Sequence, residues 1–377
     1  MGSLRRIVVG ASATALISTS LVVTGAAVAQ DDVCQVGVSW NNFEQPRWAA
    51  TDKPNIQATV EAGGGTYADF DARLDSAQQL TDVETLINGG ADVIILLAQN
   101  QDAAISALEV AQNAGVPVIA YDRLIEDPNV LYITFDNVGV GRAQAEAVLA
   151  AVPTGNYVLI KGDPGDPNAA TFLRAGWDEA GLAAAVEAGD ITILDEQFTD
   201  GWVTETAQNN MEAIIDAANA AGNEINAILA QNDSTALGVV GALQAKGLDP
   251  VPLSGQDGDQ ANLQNVAAGW QYVDVWKNSN ELGKAAGAAA LQLCEGVALA
   301  DLVLPDGLID PTVIPTAGPG AAPFETPGGN TVTSFILQPT PVTQDNLNLV
   351  VDGGWIAQDV LCAQVSDPAT AAPICQG

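Results

Sequence analysis

Histidine occurs nowhere in the 377 residues. That removes the commonest general base and the commonest metal ligand together. Positive charge is nearly as scarce: 12 Lys and Arg stand against 46 Asp and Glu, a formal net charge of −34. A nucleic-acid partner is excluded on sign, because phosphate binding needs clustered cations. Anionic membrane surfaces are disfavoured for the same reason. The acidic residues are scattered rather than blocked into a tail, so they read as a solvated surface. There are only 4 Cys, none in a C-x-x-C spacing. Gly63-Gly64-Gly65 ends a helical stretch and lacks the G-x-G-x-x-G pattern of a phosphate cradle. No metal set and no cofactor is therefore expected. After the N-terminal stretch no apolar run is long enough to span a bilayer.

What is present begins with a leader. Arg5 and Arg6 precede an apolar, small-residue stretch from Ile7 to Val28, and Ala27-Val28-Ala29 has the A-x-A form of a cleavage site. Residues 1–29 are expected to be a signal peptide, with the mature chain starting at Gln30. An exported chain favours disulfides over metal thiolates. Three pairings of four cysteines are possible. Cys362 and Cys375 are close together at the end of the chain and are expected to pair, which leaves Cys34 with Cys294.

The rest alternates strands and helices. Val116 to Tyr121 is an apolar run with β-branched residues that ends abruptly in Asp122-Arg123. Such a run reads as a buried parallel strand. The same event recurs: Ala91–Leu97 runs into Gln99-Asn100, Val130–Phe135 into Asp136-Asn137, Tyr157–Ile160 into Lys161 to Asn168, Ala227–Ala230 into Gln231-Asn232-Asp233, and Val251–Ser254 into Gly255-Gln256-Asp257. Helical stretches closed by glycine lie between them, one of them continuous over 169–188. This is the α/β pattern of doubly wound parallel sheets, repeated in two halves. In such sheets ligands bind beyond the carboxyl ends of the strands. Taken alone, Asp122 and Arg123 read equally well as an exposed ion pair opening a loop.

From Val36 to about Trp355 the chain resembles the periplasmic sugar-binding proteins that feed ABC transporters, above all the D-xylose-binding group. The resemblance is carried by Arg47-Trp48, Pro117 to Arg123, Phe135-Asp136-Asn137, Asp200-Gly201-Trp202, Asn232-Asp233, Ser254 to Asp257 and Val275-Trp276-Lys277. It implies a type I periplasmic binding protein (Venus-flytrap) fold: two doubly wound parallel-sheet lobes joined by a three-strand hinge. The chain would cross near Asp136-Asn137, near Val275 to Lys277, and in the loop before Thr331. The first lobe is then expected over 30–136 plus 278–300, and the second over 137–277 plus 331–352. Residues 301–330 would be an irregular crossover and 353–377 a C-terminal tail. Pro46 stands where the family often has Glu, and the loop from Gly162 to Asn168 is one residue longer than usual.

The resemblance also implies a ligand set: Arg47, Trp48 and Arg123 from the first lobe, Asp166, Asn168, Trp202, Asn232 and Asp257 from the second, and Lys277 at the hinge. The chemistry agrees. A pyranose both donates and accepts hydrogen bonds at its edge; Arg and Lys only donate, ionised Asp only accepts, and Asn does both. Its C–H faces suit indole rings. Local alternatives exist. Trp48 is placed to be the first core residue of a helix, Asp233 to cap the helix after it, Asp257 to cap the helix from Gln260, and Lys277 to be a solvated charge at a helix start.

The implied protein is a monomer, not an enzyme, that captures D-xylose outside the cytoplasm and delivers it to an ABC permease. A sensor role in chemotaxis, or another sugar such as glucose, galactose, arabinose or ribose, fits the same residues. A glycosidase using Asp233 and Asp257 as paired carboxylates is the enzymatic rival. Amide and Arg donors around these residues are expected to keep them ionised, against a general acid. A sugar-responsive repressor is disfavoured by the leader and by the lack of a basic helix-turn-helix.

Overall fold

Strands that are apolar along their whole length need cover on both faces, and the chain supplies it with alternating helices. The computed structural model describes residues 1–2, 33–367 and 369–376. The expected leader and its cleavage site lie outside the described residues.

In chain order the strands are β1 (Gln35–Trp40), β2 (Thr66–Asp71), β3 (Val93–Leu96), β4 (Val118–Tyr121), β5 (Val130–Phe135), β6 (Gly155–Ile160), β7 (Ile191–Gln197), β8 (Ala227–Ala230), β9 (Ser254–Gln256), β10 (Val273–Trp276), β11 (Ala322–Glu325), β12 (Thr331–Leu337) and β13 (Thr340–Val342). A seven-stranded sheet runs β11-β12-β5-β4-β3-β1-β2. Apart from β11, which pairs antiparallel with β12, its strands are parallel. β7-β6-β8 and β9-β10-β13 form two smaller sheets. A parallel bridge from Ile228 to Leu253 joins them edge to edge. Each lobe is thus a doubly wound sheet whose strand order reverses beside its first strand, β1 in one and β6 in the other. Brändén-type clefts form at that reversal.

The cores follow the sheets. Val38, Ile95, Ile119, Leu131 and Phe335 fill one face of the first sheet, and Leu96, Ala120, Tyr132 and Leu108 the other. Tyr157, Leu159, Leu229, Val273 and Val140 pack one face of the second lobe, while Val158, Ile160, Ile228 and Val239 pack its opposite face. Complete burial of each Val, Leu, Ile or Phe among these contributes about 1.5–3 kcal/mol.

The chain crosses between lobes three times. The helix Asn137–Ala151 leaves β5 for the second lobe, and the helix Ser279–Cys294 leaves β10 and returns to the first core. The third crossing differs from expectation. β12 pairs in parallel with β5, from Thr333 opposite Leu131 to Leu337 opposite Phe135. Residues 331–337 therefore belong to the first lobe, and the crossing lies after Leu337, before β13 pairs antiparallel with β10. The reason is packing: Phe335 and Leu337 are buried in the same core as Phe135. The stretch 301–330 is also less irregular than expected, since β11 extends the first sheet and Leu302, Leu304, Ile309 and Val313 are buried in its core. The helix expected over 169–188 is broken in two, because Gly181 takes a left-handed φ of 108° between Leu173–Glu179 and Leu182–Ala188.

Both expected disulfides are present. Cys34–Cys294 ties the start of β1 to the end of the returning helix, with Cα atoms 5.7 Å apart. Cys362–Cys375 closes the C-terminal segment. That segment is folded: Leu361, Ile356, Leu347 and Ala372 pack with Leu263, Val266 and Trp276 of the second lobe.

Candidate functional site

The carboxyl ends of the two sheets face one another across a narrow polar cavity of about 10 Å³. Two uncommon helix starts deliver residues to it, one per lobe. The loop after β1 enters its helix through a π-helical turn, Trp48–Asp52, closed by a hydrogen bond from Lys53 N–H to Trp48 C=O. A second π-turn, Asn168–Phe172, follows β6 and is closed from Leu173 N–H to Asn168 C=O. Turns of this type are rare and concentrate at functional positions. The first brings Arg47 and Asp52, five residues apart, side by side. Arg47 Nη2 donates to Asp52 Oδ1 at 2.9 Å and Nε to Oδ2 at 3.2 Å. Tyr121 of β4 donates to Asp52 Oδ1 at 2.6 Å. The guanidinium lies over the Trp48 ring, 4.1 Å from its centroid.

Asp122 and Arg123 are not an exposed ion pair. Both are buried, at 4% and 3% exposure, and they reach in different directions. Asp122 Oδ1 meets Lys277 Nζ at 3.2 Å and Arg47 Nη1 at 3.4 Å. Arg123 donates from Nη1 to Ala98 C=O and sets Nε 2.9 Å from Asp166 Oδ2. The Nε–H is not aimed at that oxygen and has no acceptor among the described residues. Arg47 Nη1 crosses the cleft to Asp257 Oδ1 at 2.9 Å. Lys277 Nζ stands 3.9 Å from the same oxygen. Three cations thus alternate with Asp122, Asp166 and Asp257, and every charge has an opposite neighbour, as buried ions require.

These partners set the acidities. Burial pushes Asp122 up, but Lys277, Arg47 and Arg123 together outweigh it and hold the carboxyl below its ordinary range. At Asp257 burial wins over Arg47 and Lys277, and the carboxyl is raised. Asp166 is raised by burial in the same way, despite Arg123.

Trp202 donates from Nε1 to Asp166 Oδ2 at 3.1 Å. Its ring lies flat on Gly162, where an added Cβ would stand 2.2 Å from ring carbons. Asn168 Nδ2 bridges to Asp122 C=O across the cleft at 3.2 Å. Asn232, not Asp233, caps the helix Asp233–Ala245: its Oδ1 accepts from Thr235 N–H, and Thr235 Oγ1 accepts from Asn232 N–H. Asp257 caps nothing; Asp259 holds the N-cap position of Gln260–Ala268. Lys277 is buried at 1% exposure and is no solvated charge. Trp48 turns out to be both core and cavity wall.

Asp233 lies behind the cavity and does not line it. Its Oδ2 accepts from Asp259 N–H at 2.7 Å. The expectation that surrounding donors hold its acidity down fails, as it does at Asp257: burial, then Asp274, Asp259 and Asp257, push the Asp233 carboxyl well up. Asp274 on β10 is pushed up to about 7, by burial first. The glycosidase pairing loses its geometry, since only Asp257 of the two carboxylates faces the cavity.

All nine residues of the expected set, Arg47, Trp48, Arg123, Asp166, Asn168, Trp202, Asn232, Asp257 and Lys277, line this one cavity. Gln45, Asp122 and Gln256 join them and were not in the set. Each adjoins or nearly adjoins a member of it, which was the available signal. Gln45 Nε2, Trp48 Nε1 and Gln256 Oε1 are buried without a partner among the described residues.

Two doubly wound lobes that close polar strand ends around a small space define a hinged solute-binding protein. A sequence profile described as a periplasmic binding protein domain matches residues 36–298. The D-xylose-binding periplasmic protein of Escherichia coli (strain K12) is 36% identical over 297 residues, covering 78% of this chain and 88% of that one. A solute-binding protein of an ABC transporter from Clostridium phytofermentans, solved with bound β-D-glucose, superposes with a TM-score of 0.75 at 29% identity, covering 87% of this chain and 99% of that one. One from Chloroflexus aurantiacus, in complex with D-glucose, gives 0.75 at 27% identity, covering 86% and 98%. The chain belongs to the periplasmic binding protein family, in its type I, sugar-binding form.

Proposed function

We propose that this protein captures one neutral monosaccharide between its lobes, D-xylose in the first instance, and hands it unchanged to the membrane permease of an ABC transporter. The observation that carries this reading is the balance of the cavity wall. Each of Arg47, Arg123 and Lys277 is already met by a carboxylate. No cation is left over for a sugar acid or phosphate, and the lining carboxylates Asp122, Asp166 and Asp257 are each met by a cation. What remains is donors and acceptors turned inward: Gln45 and Trp48 N–H, Gln256 C=O, and the carboxylate oxygens of Asp122 and Asp257. A polyol satisfies both kinds at once, and these charge-assisted bonds are the stronger sort. Trp48 and Trp202 provide indole surface for its C–H faces.

D-xylose is favoured by the Escherichia coli relative, while the two solved structures with glucose keep a hexose open. The leader 1–29 would place the protein outside the cytoplasm, and we read it as acting there as a monomer. Presentation of the closed, sugar-loaded form to a receptor for chemotaxis is compatible with the same site.

Calorimetric titration with xylose, glucose, arabinose, ribose and galactose, beside glucuronate and glucosamine, tests the reading. Tight binding of one or two neutral sugars, recovered unaltered, supports it. Preference for a charged sugar, or release of a chemically changed product, overturns it.

A further inference from the structure

Two residues that line the cavity, Asp257 and Lys277, are each followed or preceded by a residue held from outside the lobe's sheet. Asp257 and Gly258 take successive left-handed conformations, φ 109° and 82°. The first is unfavourable for a residue with a side chain, and such a turn persists only where its surroundings fix it. The C-terminal segment supplies that constraint. Trp355 donates from Nε1 to Gly258 C=O at 2.6 Å. Its ring meets the edge of Trp276 at 5.6 Å between centroids and 62° between planes. Trp276, next to Lys277, is buried between Gly258 and Gly353, where added Cβ atoms would stand 2.4 and 3.1 Å from its ring. Both indoles belong to the cluster closed by Cys362–Cys375.

We infer that Trp355 is a positioning residue for ligand binding, so that the C-terminal segment, which lies beyond the matched family domain, is part of the binding machinery. Its hydrogen bond fixes the Asp257-Gly258 turn, and through it the carboxylate that meets Arg47. Its ring fixes Trp276, and through it the start of Lys277. The inference rests on the function proposed above, but its test does not.

Trp355→Phe keeps a ring and removes the N–H; Trp355→Ala removes both. Hydrogen exchange of the unliganded full chain is measured at the amides of 257–259, where Asp257 N–H is bonded to Val275 C=O and Asp259 N–H to Asp233. Exchange there is expected to rise about tenfold in Trp355→Phe, the loss of one hydrogen bond, and further in Trp355→Ala. The amides of 122–124 should not change. Affinity for whichever monosaccharide the wild type binds should fall about tenfold in Trp355→Phe, with a melting temperature lowered by no more than about 2 °C. Wild-type exchange at 257–259 in both variants overturns the inference. So does acceleration spread evenly over the second lobe with a matching drop in melting temperature, which marks a structural role only. A wild type that ignores every neutral monosaccharide refutes the proposed function, and the exchange result then decides this inference alone.

Discussion

Arg47 of the first lobe and Asp257 of the second, 210 residues apart, join across the cleft with Nη1 and Oδ1 at 2.9 Å. The pair is fully desolvated in the closed molecule, and Arg47 is anchored from behind by Asp52. A ligand shifts a hinge equilibrium only by its differential affinity for the closed form. Residues that meet the ligand and the opposite lobe together are where that difference arises.

Asp257→Ala leaves Arg47 Nη1 and Lys277 without one of their counter-charges in a closed cleft. Sugar binding is expected to weaken by about 2–4 kcal/mol. Arg123→Ala should weaken it by a similar amount and reduce the ligand-induced compaction, because the Arg123–Asp166 pair also crosses between lobes. Calorimetry with small-angle scattering of free and sugar-loaded protein checks both. Wild-type affinity in either variant would remove that residue from the site.

Gly162→Ala places a methyl group 2.2 Å from the Trp202 ring. The ring must move, and its Nε1 bond to Asp166 goes with it. We expect an affinity loss of about 1–2 kcal/mol, similar to Trp202→Phe. A variant that binds sugar normally would show that the indole is not a ligand surface.

Asp274 gives a pH dependence with a definite sign. Its folded pKa of about 7 lies above the unfolded value of 3.8, so between these the native state holds the extra proton. Stability from this group is complete below about pH 4 and is lost as pH rises through 7. Asp122 acts oppositely: its lowered pKa adds stability above the ordinary carboxylate range that disappears in acid. Asp274→Asn should therefore flatten the decline of melting temperature between pH 5 and 7.5, and be more stable than wild type at pH 7.5 by about 2–4 kcal/mol. Parallel profiles for the two proteins would refute the assignment.

Cys34–Cys294 closes a loop of 260 residues in sequence separation. Replacing both with Ser should lower stability by about 3–5 kcal/mol, measured by denaturant unfolding, with little change in sugar affinity because the bond sits at the amino end of β1, opposite the carboxyl ends that line the cavity. Peptide mapping without reductant should recover Cys362 joined to Cys375.

Local residue chemistry was enough to read the apolar strands, the glycines that close the helices, and the polar residues at the strand ends. Those features are set by neighbours in the chain: a run such as Val118-Ile119-Ala120-Tyr121 has one comfortable place, and Asp122-Arg123 after it has none inside the sheet. The nine residues expected to bind the ligand came from the family pattern, and the strand-end chemistry agreed with it. Asp122 was legible as a residue but not as a partner, since its counter-ion Lys277 is 155 residues away. Only the tertiary structure decided which sheet β12 joins, because its burial pattern suits either lobe and the choice is made by Phe135 across the strand pair. It alone decided that Asp233 and Asp274 are raised while Asp122 is lowered. An acidity is a sum of burial and charges brought together from distant stretches, and no local sequence contains that sum.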